Sequence, residues 1–305
     1  MVNKLVKAKN RMFKISVIIP TKDRHDFLKR ALDSVLSQTR SVDEIIIVDD
    51  NSHDSDYDLG FEFDKRIKLI KNTKSVGGAM SRNIGVSHSS GDIIMFLDDD
   101  DAWNSDKVDR QIRYFSNGDI SLVFSGKRVV TDTNLDVVVR KIQPNIKLGD
   151  FSDLCISNFI GSTSSVAIRR NSFEKVGGFD TNLKCFQDYD LWLRLLRDKK
   201  AMYDGYTNVY YTIFKKNGMQ VSRALDGRHI LAGEYLLGKY EPIMDEVQRK
   251  NFKMNLYQLI SKSQCHSDRI VSVKYAIKSI QTQPSIRGLK FIVAPILSLL
   301  GYKYV

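Results

Sequence analysis

The stretch Gly91–Trp103, GDIIMFLDDDDAW, places four consecutive aspartates directly after a run of apolar residues. The run Ile93–Leu97 predicts a buried strand, so the carboxylates of Asp98–Asp101 crowd together at its end. Charges a few ångströms apart in a partly buried setting repel one another strongly. A divalent cation would relieve this repulsion, because Mg²⁺ and Mn²⁺ prefer oxygen ligands and hold substrate phosphates. Taken alone, the acidic run would also suit a solvated turn.

Short apolar runs alternate with helical periods around this stretch. Strands are predicted at Ile15–Ile19, Ile45–Val48 and Ile67–Ile70. A helix follows the first strand, with Asp26 expected as its N-cap, and another is predicted at Ala79–Ser87. Strands that alternate with helices indicate βαβ units, and therefore an α/β fold with a mainly parallel sheet flanked by helices on both faces.

Polar segments follow three of the predicted strands, at the edge where parallel sheets bind their ligands. They are Pro20–Arg24, Asp49–Ser52 and Asp98–Asp101. We expect them to converge on one site. The first βα turn lacks G-x-G-x-x-G, and the chain contains no G-x-x-x-x-G-K-[ST]. These absences argue against a Rossmann dinucleotide site and against a P-loop enzyme.

The second half of the chain is less regular. Strands are predicted at Leu122–Phe124 and Val137–Val139, and a helix with an acidic first turn is predicted within Phe186–Leu196. Helical periods dominate from about residue 228 onward. We therefore predict a main domain at 1–227 and a C-terminal helical subdomain at 228–305.

The net charge of +11 is concentrated at the two ends of the chain. Residues 1–14 hold five basic residues and no acidic one, and residues 228–305 hold twelve basic and five acidic residues. The segment with the acidic run is nearly neutral, so we expect no nucleic-acid partner. The basic ends fit peripheral contact with an anionic membrane surface, and they fit two solvated helical faces equally well.

Cysteine usage and hydropathy indicate a cytoplasmic protein, at most peripheral on the membrane. The three cysteines are far apart in sequence and form no CxxC pair, which is typical of a reducing compartment. The basic N-terminus leads directly into a predicted strand, so no signal peptide is predicted. The most apolar C-terminal stretch, Phe291–Leu300, is about half as long as a spanning helix and contains Pro295.

Six segments, in the expected order, resemble motifs of the family 2 glycosyltransferases, which have the GT-A fold. The resemblance covers roughly residues 13 to 225 and implies a nucleotide-sugar half at 13–115 and an acceptor half at 116–227. The segments are Ser16–Thr21 (SVIIPT), Ala31–Thr39 (ALDSVLSQT), Ile46–Ser52 (IIVDDNS), Ser81–Gly85 (SRNIG), Gly91–Trp103, and Gly177–Asp180 (GGFD) together with Gln187–Arg194 (QDYDLWLR).

The resemblance implies which residues bind the nucleotide. Pro20, Thr21 and Asp23 match the loop that meets the nucleotide, partly through backbone atoms. Asp50 matches a residue that hydrogen-bonds the uracil or the ribose, and Arg82 matches one near the base or the phosphates. On other interpretations Asp50 only caps the next helix, and Arg82 forms a surface ion pair.

The resemblance also implies a metal ligand and a general base. Asp98 and Asp100 have the D-x-D spacing, with Asp100 as the direct ligand of Mn²⁺ or Mg²⁺ and Asp99 facing the ribose or donor sugar. Asp188 matches the general base, although the helix dipole alone would also favour an aspartate in a first turn. Gln187 stands where the family more often has Glu or Asp, so a second carboxylate is missing there.

Together these features predict an inverting, metal-dependent glycosyltransferase with a nucleotide-sugar donor, UDP-linked by expectation. The acceptor would be a hydroxyl of a glycan or of a lipid-linked glycan, and the basic ends favour the lipid-linked one. A sugar nucleotidyltransferase is one alternative, and it would release pyrophosphate. A non-catalytic nucleotide-sugar binding module is another, and its function would survive the substitution Asp188→Asn.

Overall fold

The structure, a computed structural model, describes residues 13–53, 64–214, 227–265 and 267–284. The apolar stretch Phe291–Leu300 and most of the basic N-terminal segment lie outside these residues, so the predictions made for them stay predictions. Within the described residues, no helix is both long enough and apolar enough to cross a membrane.

The first half of the chain forms the predicted parallel sheet, with strands in the order β3-β2-β1-β4. Alternate side chains of β1 and β2 face opposite ways: Val17 and Ile45 pack against the first helix, whereas Ile18 and Ile46 pack against the second. The two helices therefore cover opposite faces. The elements are β1 (Ile15–Thr21), α1 (His25–Leu36), β2 (Glu44–Asp49), β3 (Ile67–Lys71), α2 (Gly78–Ser87) and β4 (Ile93–Phe96).

The second half extends the same sheet from β4 in the order β9-β6-β10-β5. β6 and β10 are parallel, and β9 runs antiparallel to both β4 and β6. The elements are β5 (Ala102–Trp103), α3 (Lys107–Ile112), β6 (Ile120–Thr131), β7 (Asn134–Ile142), β8 (Leu148–Gly149), α4 (Phe151–Ile156), β9 (Val166–Arg169), α5 (Arg170–Lys175), α6 (Gln187–Leu195) and β10 (Lys200–Ile213). Short 3₁₀ turns span Arg113–Ser116, Thr163–Ser165 and Glu241–Ile243.

Helices follow β10, as the sequence predicts, and the residues described there form α7 (Arg228–Tyr240), α8 (Glu246–Gln264) and α9 (Arg269–Thr282). Buried side chains of α7 and α8, such as Leu236 and Phe252, belong to the same apolar cluster as Trp192 of α6. The C-terminal helices thus share a core with the acceptor half. The sequence prediction of an α/β fold with a mainly parallel, helix-flanked sheet and C-terminal helices is confirmed. The domain boundary at residue 227 stays a prediction.

The predicted cap of α1 is wrong. The helix begins at His25 with Arg24 in the N-cap position, where no side-chain cap bond is made, and Asp26 lies inside the first turn. The error has a physical reason, because a carboxylate near a helix N-terminus is favoured by the dipole whether or not it caps.

Candidate active site

The carboxyl ends of β1, β2 and β4 meet at one edge of the sheet, as the sequence predicts. The Thr21 hydroxyl donates a hydrogen bond of 2.9 Å to Asp99 Oδ2. The backbone N–H of Asp50 donates to the Thr21 carbonyl at 2.9 Å. The backbone N–H of Asp23 donates to the Ser52 hydroxyl, also at 2.9 Å. The three polar segments therefore form one continuous rim.

Asp23 is half exposed at the outer part of this rim. The backbone of Asp23 has a positive φ of 53°, which is uncommon for aspartate. Its carboxylate accepts the backbone N–H of His53 at 2.8 Å and lies 3.1 Å from the ring nitrogen Nδ1. These bonds to His53, the backbone one first, hold the pKa of Asp23 below its ordinary value. The predicted nucleotide contacts of Pro20, Thr21 and Asp23 stay predictions.

Asp50 organises the loop that precedes α2. Its carboxylate accepts backbone N–H bonds from Val76 (2.7 Å) and Gly77 (2.9 Å) and side-chain bonds from Ser75 (2.7 Å) and Asn72 (3.0 Å). Burial by itself would raise the pKa of Asp50, but the bonds, of which that from Val76 is the strongest, leave it below its ordinary value. Asp50 thus has a structural role beside the nucleotide contact predicted for it.

Asp98 is held from two sides. Arg82 of α2 forms a close ion pair with Asp98 Oδ1, and the Thr163 hydroxyl lies 3.1 Å from each oxygen. The Arg82 guanidinium also lies over the Phe179 ring, 5.6 Å from its centroid. Only 12% of the Arg82 side chain is exposed, so this ion pair belongs to the site and not to the outer surface.

Asp99 and Asp100 share one cation. Arg24 Nη1 lies 3.1 Å from Asp99 and 2.8 Å from Asp100. Burial first, and then the charges of Asp99 and Asp98, raise the pKa of Asp100 to about 7. Arg24 ends the polar segment after β1 but was not predicted as a site residue.

Asp101 lies deeper than its neighbours and is fully buried. Its Oδ1 accepts the backbone N–H of Thr212 at 2.9 Å, whereas its Oδ2 accepts no well-formed hydrogen bond from any described residue. Burial, followed by the charges of Asp100 and Asp98, raises its pKa well above the ordinary range. The cluster thus carries more negative charge than its cations offset.

This donor set fits a hard divalent cation. Its oxygens are the ligands that Mg²⁺ and Mn²⁺ prefer, and burial together with the neighbouring charges of Asp99 and Asp98 raises the pKa of Asp100, a state that a bound cation would oppose. No group of three or more His, Cys, Asp or Glu side chains among the described residues could hold an ion unaided. A cation here would take one or two carboxylates from the protein and its other ligands from water and phosphates, as Mg²⁺ commonly does.

Asp188 lies in the first turn of α6, as predicted. The residue at the N-cap, Phe186, has a left-handed backbone (φ 57°), which is strained for a bulky side chain and is typical of functional sites. Asp188 Oδ1 accepts the backbone N–H of Tyr189 at 2.8 Å. The amide of Gln187 donates to the Leu183 carbonyl at 2.7 Å, so this side chain serves the local fold.

The carboxylate of Asp188 interacts electrostatically with three charged side chains. Burial raises its pKa, whereas the charges of Lys127 and Arg82 oppose the rise and that of Asp98 adds to it. The predicted base and the predicted metal ligand thus share one electrostatic environment. Lys127 of β6 was not singled out from the sequence, although a lysine between apolar strand residues (VFSGKRVV) is a signal that could have found it.

Known proteins share this architecture. A truncated TarS from S. aureus, solved in complex with UDP-GlcNAc, superposes with a TM-score of 0.59 at 14% identity, covering 96% of this chain and 93% of that one. A mannosyltransferase from Pyrobaculum calidifontis, solved with GDP-Man and Mn²⁺, gives a TM-score of 0.58 at 18% identity, covering 95% and 81%. At such identities the likeness establishes the fold.

The relatives found by sequence share a higher identity with this chain than these solved structures do. An uncharacterized glycosyltransferase of Haemophilus influenzae is 31% identical over 189 residues, which are 60% of this chain and 62% of that protein. WfgD of Escherichia coli, named a UDP-Glc:alpha-D-GlcNAc-diphosphoundecaprenol beta-1,3-glucosyltransferase, is 30% identical over 188 residues, covering 60% and 70%. The family model described as glycosyl transferase family 2 matches residues 16–177. That region includes the ends of β1, β2 and β4, which meet at the site, and this chain belongs to glycosyl transferase family 2.

Proposed function

We propose that this protein is an inverting, metal-dependent glycosyltransferase that moves a sugar from a nucleoside diphosphate donor to an acceptor hydroxyl. One observation carries the proposal. At one edge of the sheet Arg24 bonds Asp99 and Asp100 and Arg82 bonds Asp98, and the charges of Arg82 and Asp98 also act on Asp188 in the first turn of α6. A base candidate and a carboxylate cluster that could hold the donor diphosphate through a cation are the two parts that such a reaction requires.

The reaction follows from these positions. The acceptor oxygen forms a bond to the anomeric carbon while the bond from that carbon to the diphosphate oxygen breaks. The nucleoside diphosphate departs with the electron pair, and Asp188 takes the proton of the attacking hydroxyl. A single displacement of this kind inverts the anomeric configuration. The raised pKa of Asp188 suits the task, because it brings the carboxyl closer to the working pH.

Asp100 and Asp98 would hold the divalent cation, Mn²⁺ or Mg²⁺. When bound, such an ion stabilises negative charge on the diphosphate without a proton transfer. The Mn²⁺ in the complex of the Pyrobaculum calidifontis mannosyltransferase supports this assignment. Asp99 already accepts hydrogen bonds from Thr21 and Arg24 and would thereby position the neighbouring carboxylates. Its remaining lone pairs would accept hydrogen bonds from the donor.

The relatives suggest the donor and the acceptor. TarS has been solved with UDP and with UDP-GlcNAc, and both WfgD and WfaP of Escherichia coli are named as UDP-Glc transferases to a diphosphoundecaprenol-linked GlcNAc. We therefore propose a UDP-sugar donor and a lipid-linked glycan acceptor for this chain. Such an acceptor is embedded in a membrane, which would place the protein at the cytoplasmic face as a peripheral component.

Calorimetric titration of UDP into the purified protein tests the donor site, first with Mn²⁺ and then with EDTA. We expect binding that requires Mn²⁺ and that Asp100→Ala abolishes. A second assay supplies a UDP-sugar with a GlcNAc-diphosphate lipid and identifies the product. Release of UDP supports the glycosyltransferase, whereas release of pyrophosphate would identify a nucleotidyltransferase. Failure to bind UDP in either condition would contradict the proposed donor.

A further inference from the structure

Lys127 occupies an unusual place between the two sides of the site. It lies on β6, and its ammonium group interacts electrostatically with Asp101 first, then with Asp188 and Asp98. Nevertheless, it forms no hydrogen bond or ion pair with any of the residues that the structure describes. An ammonium group has three N–H donors, and leaving them unused in a half-buried position is costly.

An aromatic ring and a glycine border the ammonium group of Lys127. The Tyr211 ring of β10 lies 5.0 Å from Lys127 Nζ, measured to the ring centroid. On another side stands Gly161, where an added Cβ would come within 2.6 Å of Nζ. Gly161 also has a positive φ of 78°, so a side chain there would strain the backbone and would displace the end of the Lys127 side chain. The absence of a side chain at Gly161 thus leaves space for the ammonium group of Lys127.

Tyr211 itself faces the same cluster. Its hydroxyl interacts electrostatically with Asp101, Asp100 and Asp98, and more weakly with Asp188. Like Lys127, it makes no hydrogen bond within the described part of the chain. Two adjacent donors therefore feel the charge of the aspartates and have no acceptor among the described residues.

The three arginines near the cluster already bond protein groups, and Arg30 donates from Nη2 to the Asp100 carbonyl and to the Thr212 hydroxyl. Arg24 bonds Asp99 and Asp100, and Arg82 bonds Asp98. A doubly or triply charged diphosphate bound beside these carboxylates would find at Lys127 and Tyr211 two donors that bond none of the described residues. Gly161, which borders Lys127 Nζ, lies two residues before Thr163, whose hydroxyl is 3.1 Å from each carboxylate oxygen of Asp98, and Lys127 and Tyr211 therefore lie on the side of the aspartate cluster.

We propose that Lys127 and Tyr211 bind the diphosphate group of the donor and stabilise its charge as the sugar departs. This inference rests on the proposed function, because it takes a nucleoside diphosphate as the leaving group. Preorganised donors of this kind act where charge develops, and in a water-poor site each one is worth far more than in bulk water. The expected consequence is a loss of both diphosphate binding and turnover when the ammonium group is removed.

The test compares Lys127→Met and Tyr211→Phe with wild type, using UDP and uridine as probes in the presence of Mn²⁺. Because the ammonium would bond a charged phosphate, we expect Lys127→Met to weaken UDP binding about 10-fold to 100-fold. Uridine, which lacks phosphates, should bind with unchanged affinity. Tyr211→Phe should show a smaller loss with the same selectivity. Thermal melts of each variant verify that it is folded.

Arg128→Met is the matched control. Arg128 follows Lys127 on β6 and donates to the Tyr210 hydroxyl at 2.9 Å, so it repeats the pairing of a cation with a β10 tyrosine next to the site. It should leave UDP binding unchanged, because successive strand residues face opposite sides of the sheet.

Two outcomes would overturn the inference, and they are distinguishable. If wild type binds UDP and Lys127→Met binds it equally well, the donor-side role is wrong while the proposed function stands. A shift of the pH–rate profile with unchanged UDP affinity would then make Lys127 only a counter-ion of Asp188. If wild type binds none of UDP, GDP and dTDP, the proposed function and this inference fail together.

Discussion

Lys239 Nζ lies 2.8 Å from a carboxylate oxygen of Asp190, and this ion pair joins the C-terminal helices to the helix of the proposed base. Asp190 is fully buried and also bonds Arg194 at 2.6 Å and the Tyr240 hydroxyl at 2.9 Å. A buried carboxylate needs such partners, because an uncompensated charge inside a protein is strongly destabilising. α7 therefore holds α6, and with it Asp188, in position.

Lys239→Met should destabilise the fold. It removes a cation from Asp190 and from Asp180, whose carboxylate lies 2.8 Å from the same ammonium group. Loss of these bonds leaves a buried carboxylate partly unsatisfied, and we expect the free energy of unfolding to fall by about 1–3 kcal/mol. Urea denaturation measures this change. The control is Lys250→Met, which breaks the exposed pair with Glu246 on α8. Lys250→Met should lower the free energy of unfolding by less than about 0.5 kcal/mol. Equal losses in the two variants would contradict a stabilising role for the ion pairs of Lys239.

Asp188→Asn should abolish turnover and spare donor binding. The amide keeps the size of the side chain but cannot accept the hydroxyl proton, so we expect kcat to fall by about 10²–10⁴-fold. UDP affinity should change by less than about threefold, since the role lies with the acceptor. Product release under saturating donor gives kcat, and calorimetry gives the affinity. A variant that keeps wild-type turnover would eliminate Asp188 as the base.

The pH dependence of kcat should have an acidic limb set by Asp188. The reaction needs the ionised carboxylate, and burial raises its pKa above the ordinary value of 3.8. Turnover should therefore be full above the raised pKa and should fall as the pH drops through it. Lys127→Met removes a charge that favours the ionised form, so the limb should move to higher pH. A limb that does not respond to this variant would show that another group sets it.

Asp50→Ala separates the two roles considered for Asp50. The substitution leaves the buried backbone N–H groups of Val76 and Gly77 without their acceptor, and we expect a loss of about 1–3 kcal/mol in unfolding free energy. If Asp50 also contacts the nucleoside, uridine binding should weaken by about 10-fold. Asn72→Ala, which removes one donor to the same carboxylate, is the control for loop disorder. Equal uridine affinities in the two variants would leave Asp50 with the structural role alone.

The nucleotide half could be predicted from the sequence because its signals are local. The apolar runs Ile15–Ile19, Ile45–Val48 and Ile93–Leu97 were predicted as strands and form β1, β2 and β4, and parallel pairing then requires the polar segments that follow them to meet. The position of Asp188 in a first turn is likewise local, since the helical period begins beside it. Such features depend on residues within one or two elements.

The parts that escaped prediction depend on long-range pairing. Lys127 and Tyr211 meet only because β6 and β10 pair over their length, and nothing near either residue encodes that contact. The bonds of Asp190 to α7 have the same origin, since Lys239 and Tyr240 follow it by about fifty residues in sequence. Arg24 lay within a predicted site segment, but its pairing with two aspartates required the folded sheet.

Gly85, the last residue of the SRNIG segment, allows α2 to approach the sheet, and its replacement should be measurable as instability. An added Cβ would lie 2.3 Å from Ile18 Cγ2 and 3.2 Å from Val48 Cγ2, both on buried β-branched side chains that have little freedom to move. We therefore expect Gly85→Ala to cost about 1–3 kcal/mol in urea denaturation, with weaker UDP binding because α2 carries Arg82.

The matched substitution is Gly238→Ala in α7, where an added Cβ would meet nothing within 4 Å. There the lower backbone entropy of alanine in the unfolded chain should stabilise the protein by about 0.4–1 kcal/mol. The same substitution should thus lower the free energy of unfolding in α2 and raise it in α7. A stabilising or neutral Gly85→Ala would mean that α2 can move away from β1 and β2 at little cost, and the close contact would then not explain the glycine.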